Sequence, residues 1–520
     1  MSNEWLEVNF NDFIFPIILI FFISWLVLLS KMQNKGILDK LNATKALGFI
    51  LMLRTQKGIK LLEKISKPRK FWRIYGEVSL WVCRLSMLFI GLLVFLSIIL
   101  FVINGPAEDP PPITTMIAVP GINPVIPLGW GIIAFIISLV IHEFGHGLLA
   151  RAHGMRLRSF GLLVLGPLPL GAFAEPEYDE LTRAPRKERQ RMFAAGPSTN
   201  IFMALICFFM LVLVSSQFSA IHSGMHARGI IQHEQSGANS SGLEAYDIIT
   251  HINNSKIENK ESFDNALSKY SSGDNISLTI IPKDNLDSTM QLNVTLGDAY
   301  EYRYYNWNLS SGEDLNSDGQ IGRDDFDIFL ENNKDLFEEF GMSVEPGDAF
   351  LGVSQLVSSS NGIDRLAGPF AKDSTGNILS KTLFTPFHLM TLIFEPINNK
   401  GKAINSFEES MLVVDDEGIS GFLGAENLIL VIEFFFWLIW VNLLLGLTNL
   451  IPILPFDGGH LFRDMFYGSL ENINRLRKAI GLKKWHPLRL EQFVNKITGW
   501  SSLALFFILI LMLGLPYLVG

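Results

Sequence analysis

His142, Glu143 and His146 form an H-E-x-x-H pentapeptide at the end of an apolar run, GWGIIAFIISLVIHEFGHGLLA, from Gly129 to Ala150. On a helix, positions i and i+4 lie one above the other, so both imidazoles can reach one metal ion. Glu143, beside the first, is then placed to take a proton from a water activated at that ion. With ten His in 520 residues, chance placement gives the pattern roughly one time in a hundred. The setting sharpens the reading, because ionisable residues inside an apolar span are costly and mark function.

Catalytic zinc takes three protein ligands and leaves one position open. A metzincin would carry Gly at 149 and His at 152, where this chain has Leu149 and Ala152. His153 lies near the His146 face but farther along the axis. Glu175 and Glu177 end the Gly/Pro-broken stretch GLLVLGPLPLGAFAEPEYDE and are candidates of the soluble-zincin kind. Asp457 is the better one. It stands in NLIPILPFDGG, Asn449 to Gly459, where Pro452 and Pro455 break a helix. Irregular backbone at membrane depth is tolerated only inside protein or along a wet cavity. An ordinary Asp-Gly turn capping a helix is the plain alternative.

The elements that must position these residues are membrane spans. The chain is 49% hydrophobic, with 40 Phe and a mean hydropathy of +0.30, which points to an α-helical polytopic membrane protein. Six stretches are long enough to cross a bilayer: Phe13–Leu29, Leu85–Ile103, Gly129–Leu149, Met192–Val214, Leu428–Leu447 and Trp500–Val519. Twelve Lys or Arg between Lys31 and Arg73, and further basic loops at Arg151–Arg191 and Arg463–Lys496, are placed on the cytoplasmic side by the positive-inside rule. Both termini and the stretch from Ser215 to Asn427 then fall outside, with His142, His146 and Asp457 toward the cytoplasmic ends of their spans. A net charge of −9 and the lack of a basic recognition motif exclude nucleic acid as a partner. Two cysteines, Cys83 and Cys207, exclude a disulfide framework and a Cys-rich zinc site. No cleavable signal peptide is expected, since Met1 to Asp12 is acidic.

Four regions follow: 1–125 with two spans and a basic loop, 126–214 with the zinc-motif span and its successor, 215–427 outside, and 428–520 with the last spans. The outside region carries five N-x-[ST] sequons, at Asn239, Asn253, Asn275, Asn293 and Asn308, against Asn42 inside. Within it, Ile230, Ile248, Ile249 and Ile252 suggest short strands, Phe263 to Leu267 a helix, and Ile276 to Ile281 another strand. This order, with G-L-x-x-x-D-I-I-x-x-I-N, resembles a PDZ domain, an α/β module that binds peptide ends by strand addition. Asp314, Asn316, Asp318, Gln320 and Asp325 sit at positions 1, 3, 5, 7 and 12 of an EF-hand-like calcium loop with Gly319 at position 6. FLGV at Phe350 to Val353 reads as a late strand, which makes the calcium loop an insertion. Thr382 to Phe394 is apolar but too short to span, and suits the membrane surface.

Taken together, the motifs resemble the site-2 protease family of intramembrane zinc metalloproteases. HEFGH at 142–146 resembles its zinc helix, NLIPILPFDG at 449–458 its third-ligand segment, and AAGPSTN at 194–200 its G-P-x-x-N signature. A PDZ insertion between the last two is familiar there. The resemblance implies hydrolysis of a peptide bond in or near a transmembrane helix, with His142, His146 and Asp457 on zinc and Glu143 as general base and then acid. It also implies transmembrane protein substrates, already shortened by an upstream site-1-type protease and filtered by the outside domain. Asn200 could hydrogen-bond the substrate backbone or a developing oxyanion, with helix packing through its amide as the alternative. The stretch GLLVLGPLPLGAFAEP could hold an unwound substrate as an added strand. The EF-hand-like loop departs from the family pattern. A sensor or scaffold that keeps the membrane fold and binds peptides outside is the rival of another class, with a zinc transporter behind it. Such a chain would be expected to lose Glu143 or a ligand, and this one retains them all.

Overall fold

Long apolar runs satisfy their backbone groups internally as helices, the form a bilayer demands. The structure, a computed structural model, describes residues 10–519 apart from 47, 57, 107–109, 111, 117–119, 167, 340–343, 373 and 415–417. The acidic N-terminal residues 1–9 and position 167 of the Gly/Pro-broken stretch lie outside that set. The main helices are α1 (Phe10–Asn34), α2 (Arg69–Asn104), α3 (Leu128–Ala152), α4 (Arg186–Ser215), α5 (Gly418–Thr448), α6 (Asp457–Ala479) and α7 (Pro487–Gly514). Among the described residues, five helices are long and apolar enough to cross a membrane: α2, α3, α4, α7 and, from Ser420 on, α5. The chain is an integral membrane protein. The expected first span coincides with α1, whose described apolar part is Leu19–Asn34.

The chain divides into two compact units, residues 1–210 with 433–520, and residues 211–432. In the first, Leu148 and Leu149 of α3 meet Met192 and Ala195 of α4 in one core. Leu80, Cys83 and Met87 of α2 meet Ala194, Leu450 and Leu461 in another. Small residues allow the approach: a Cβ on Gly145 would lie 2.6 Å from Thr199 Oγ1 and 2.8 Å from the Ala195 carbonyl oxygen. A forked pair from Arg189 Nε and Nη2 to Asp464, 3.1 and 3.0 Å, ties α4 to α6; such bidentate bonds fix orientation as well as proximity.

This unit also contains a four-stranded antiparallel sheet that the sequence does not announce. Strands β1 (Ala43–Ala46) and β2 (Ile50–Thr55) come from the basic loop, while β3 (Leu157–Leu165) and β4 (Leu168–Pro176) come from the Gly/Pro-broken stretch. Their order is β1-β2-β3-β4, so β4 is an edge and Leu163 to Leu165 lie in an interior strand.

In the second unit, β5 (Phe218–Ala220) follows α4 and pairs with β11 (Leu412–Val414), which precedes α5. Between them lies an antiparallel sheet of β6 (Met225–Ile230), β7 (Ile248–Ile252), β8 (Asn275–Ile281), β9 (Met290–Thr295) and β10 (Val353–Ser358), in the order β9-β8-β7-β6-β10. Ile249, Ile252, Leu278, Ile280 and Val294 alternate into its core, capped by Phe263 of the helix Lys260–Leu267. Gly297–Asp298 pairs with Ala349–Phe350, so the intervening chain, including the loop 314–325, is an insertion at adjacent strands. It has a small core of its own in Tyr300, Trp307 and Phe326. The apolar stretch at Thr382–Phe394 is helical over Ile378–Thr391 and leaves Leu379, Leu383 and Phe387 exposed.

His226 on β6 is fully buried, and among the described residues neither ring nitrogen has a hydrogen-bond partner. Burial lowers its pKa to about 4. The unfolded chain takes up that proton near pH ~6.5 and the folded chain does not, so stability is full above pH ~6.5 and falls toward pH ~4. The loss amounts to about 3 kcal/mol. Hydrogen exchange of Ile249 and Leu278 in the full chain should show protection falling over this interval, with a shallower fall in His226→Leu. An unchanged slope in that variant would remove His226 as the cause.

Candidate metal centre

The pentapeptide lies within α3, which carries both imidazoles on the face toward α4. His142 Nε2, His146 Nε2 and Asp457 Oδ2 form a triangle with every side 3.1 Å. Asp457 reaches it as the first residue of α6. Behind it the segment 449–456 folds on itself: Gly458 donates its amide to the Asn449 carbonyl at 2.7 Å, and Leu454 donates to Ser502 Oγ of α7 at 3.2 Å. A Cβ on Gly458 would sit 2.4 Å from the Leu450 carbonyl oxygen, so the doubled glycine lets α6 start against this loop.

The donor set fits a zinc ion. His146 Nδ1 bonds the Met192 carbonyl at 2.8 Å, which places the ring proton there and leaves Nε2 with its lone pair. That lone pair faces a carboxylate oxygen and a second imidazole nitrogen, an arrangement of mutually repelling acceptors that a cation resolves. Donors ~2.0 Å from a tetrahedral metal lie ~3.3 Å apart, close to the separation found. Among the described residues, these three form the only group of three or more His, Cys, Asp or Glu with ligand atoms within 4.8 Å of one another.

The other candidates lie elsewhere. Glu175 accepts from Ser159 Oγ at 2.8 Å and faces Arg54 at 3.5 Å. His153 faces Glu188 at 3.7 Å. The EF-hand-like loop turns its carboxylates on its own amides. Asp314 accepts from Gly319 at 2.9 Å, Asp318 from Gln320 at 2.8 Å, and Asp325 from Leu315, Asn316 and Gly322 at 2.8 to 2.9 Å. The Asn316 amide, then that of Gly322, holds the Asp325 carboxyl below its usual range. Asn316 Oδ1 accepts from the Asp318 amide at 2.9 Å.

Asn200 is fully buried, with Nδ2 3.2 Å from His142 Nδ1 and Oδ1 without a partner among the described residues. Oxygen and nitrogen of an amide interchange on geometry alone. A ligating imidazole donates its second N–H to an outer partner, which selects Oδ1 on His142 Nδ1. Asn200 thus stands behind the His142 ring. Asn200→Leu should weaken zinc binding about 10–100-fold, read by competition with a chelating dye. Unaltered affinity with altered KM would support the substrate role.

Two contacts at the site are backbone and carry no sequence signature, the Met192 carbonyl and the amide of Ala174, which donates to Glu143 Oε2 at 2.7 Å. A third feature is Gly196 on α4: a Cβ there would lie 2.3 Å from His146 Nε2 and 2.7 Å from His142 Nε2. Only its glycine in the G-P-x-x-N signature hints at this. Beside Glu143 opens a cavity of about 510 Å³, apolar for the most part, walled by Val140, Phe144, Phe160, Ala172 and Phe173.

Apolar helices thus bring together a His-His-Asp group with an adjacent glutamate, the donor set of a membrane metal centre. The profile of Peptidase family M50 matches residues 130–482, more than half of the chain, and the chain belongs to that family, the one that holds the site-2 proteases. An uncharacterized protein of Methanocaldococcus jannaschii is 33% identical over 248 residues, which span 48% of this chain and 62% of that relative.

Proposed function

We propose that this protein is a zinc endopeptidase that cuts transmembrane proteins within or next to their membrane helices. The observation that carries the reading is the meeting of His142, His146 and Asp457 beside Glu143, beneath the edge of a sheet. Zinc bound there would polarise the scissile carbonyl and make water acidic enough to attack near neutral pH. Glu143 holds Oε2 on the Ala174 amide, which leaves Oε1 to accept the proton of the attacking water and hand it to the leaving amine. Asn200 keeps the His142 ring turned to present Nε2.

The substrate must unwind before its carbonyl is accessible, and β4 offers an edge for it. Ala174 points its N–H away from β3, and by the two-residue alternation of an antiparallel ladder Ala172 does the same. A substrate strand paired there would pass over Glu143, with an apolar side chain in the adjoining cavity. The basic loops favour a site toward the cytoplasmic side, with the second unit outside. That unit, read as PDZ-like, would admit substrates already shortened by an upstream protease.

The test is cleavage of a model transmembrane substrate in proteoliposomes, with zinc content measured alongside. We expect about one zinc per chain, loss of cleavage on chelation and its return with zinc. Ala172→Pro, which removes an edge N–H, should keep the zinc and lose most cleavage. Zinc-loaded protein without cleavage would overturn the enzyme reading, and zinc-free, fully active protein would overturn the zinc assignment; an active Ala172→Pro variant would overturn strand addition alone.

A further inference from the structure

The turn between α6 and α7 is tightly built. Asn474, which is buried, donates Nδ2 to the Trp485 carbonyl at 3.1 Å and accepts the Trp485 amide at 2.8 Å. Arg477 lies over the Trp485 ring, 4.7 Å from its centre, and donates to the Lys483 carbonyl. Between these elements is a cavity of about 780 Å³. Its polar wall is Arg477, Lys483, Lys484, His486 and Arg489, and its apolar wall is Trp485, Leu490 and Phe493.

Among the described residues, no carboxylate lines this cavity. The adjoining one contains Glu471, which is engaged with Arg186 at 2.9 Å. Four fixed positive charges thus share one concavity without a counter-charge, a field that attracts and concentrates an anion. The position says which anion. Clusters of Lys and Arg on the cytoplasmic flank of a span attract anionic headgroups, and the cavity lies at the start of α7, the helix that runs on into the apolar stretch from Trp500. Leu476, Ile480, Leu482 and Leu488 around it are all exposed. A ligand with a negative head and apolar chains matches both walls, and a bilayer supplies it at high local concentration.

We propose that this cavity binds the phosphate headgroup of an anionic phospholipid, with Lys483, Lys484 and Arg489 on the phosphate and the acyl chains along Leu490 and Phe493. The site is independent of the zinc centre and stands whether or not that centre is active.

The test uses the full chain in phosphatidylcholine nanodiscs doped with a minor fraction of brominated phosphatidylglycerol, or with brominated phosphatidylcholine at the same fraction. Bromine quenches indole at short range, and the Trp485 contribution is isolated by difference from Trp485→Phe. Quenching by the anionic lipid should exceed that by the zwitterionic one. Combining Lys483→Gln, Lys484→Gln and Arg489→Gln should weaken the preference at least about tenfold. A control combining Lys31→Gln, Lys35→Gln and Lys40→Gln, all exposed positions in the basic loop, should retain it. Equal quenching by both lipids, or equal loss in the control, would overturn the site. Displacement of the lipid by inorganic phosphate would reassign it to a free anion and overturn the lipid proposal.

Discussion

Glu143→Gln is expected to bind zinc as the wild type does and to cleave transmembrane substrates 10²–10⁴-fold more slowly, the span usual for a general acid–base group. The substitution is nearly isosteric. A glutamine carbonyl oxygen can still accept the Ala174 amide that now meets Glu143 Oε2 at 2.7 Å, so α3 and β4 keep their contact. What is lost is the second oxygen, since an amide nitrogen offers no lone pair to a proton. His142 and His146 are untouched, and the metal serves as an internal control for folding. Single-turnover cleavage in proteoliposomes, with zinc measured on the same sample, separates the two effects. Cleavage near the wild-type rate would show that another group moves the proton.

Gly196→Ala should abolish metal binding without unfolding the protein. The added Cβ would stand 2.3 Å from His146 Nε2 and 2.7 Å from His142 Nε2, inside contact distance of the two atoms that must hold the ion. Retreat of α4 is opposed from its other side, where Ala194 is packed in a core with Leu80, Cys83, Leu450 and Leu461. The imidazoles must therefore turn, and with them the bonds to Met192 and Asn200. Disturbing an outer partner alone costs 10–100-fold in metal affinity; displacing two ligands should cost at least about a hundredfold. Alanine favours a helix interior over glycine by about 1 kcal/mol, so the apo variant should melt no lower than apo wild type. Normal zinc content in Gly196→Ala would move the metal away from this point.

The legible part of the site was the part written in side chains of restricted use. His142, Glu143 and His146 announce themselves by spacing and by standing in an apolar run. Asp457 was readable because Pro452 and Pro455 break a span just before it. The sheet was not legible. In β1 and β2 the basic residues dominate the reading of the loop, and in β3 and β4 the glycines and prolines masked a hairpin. What fixes both is pairing across more than a hundred residues, Leu53 with Leu162 for example, which no local period records. Helix α2 begins at Arg69, well before the apolar run at Leu85, because Arg69, Lys70, Arg73, Glu77 and Arg84 break the apolar pattern over its first turns. Asn200 was found by its motif, but its contact with His142 was not legible, since burial behind a ring leaves no trace in sequence. The EF-hand-like spacing was complete, and in the structure its carboxylates accept the loop's own amides.

The pairing of β5 with β11 has a consequence for how such a chain can change over evolutionary time. Phe218 to Ala220 and Leu412 to Val414 close one short antiparallel ladder, so the chain departs and returns through neighbouring positions. Everything between is a cassette with a fixed mouth. Lengthening, exchanging or losing its contents alters the perimeter of a loop, whose closure entropy changes only with the logarithm of its length. The insertion between Gly297–Asp298 and Ala349–Phe350 repeats the device one level down. A catalytic scaffold under strict geometric constraint can in this way acquire new recognition modules while its helices stay where the chemistry needs them.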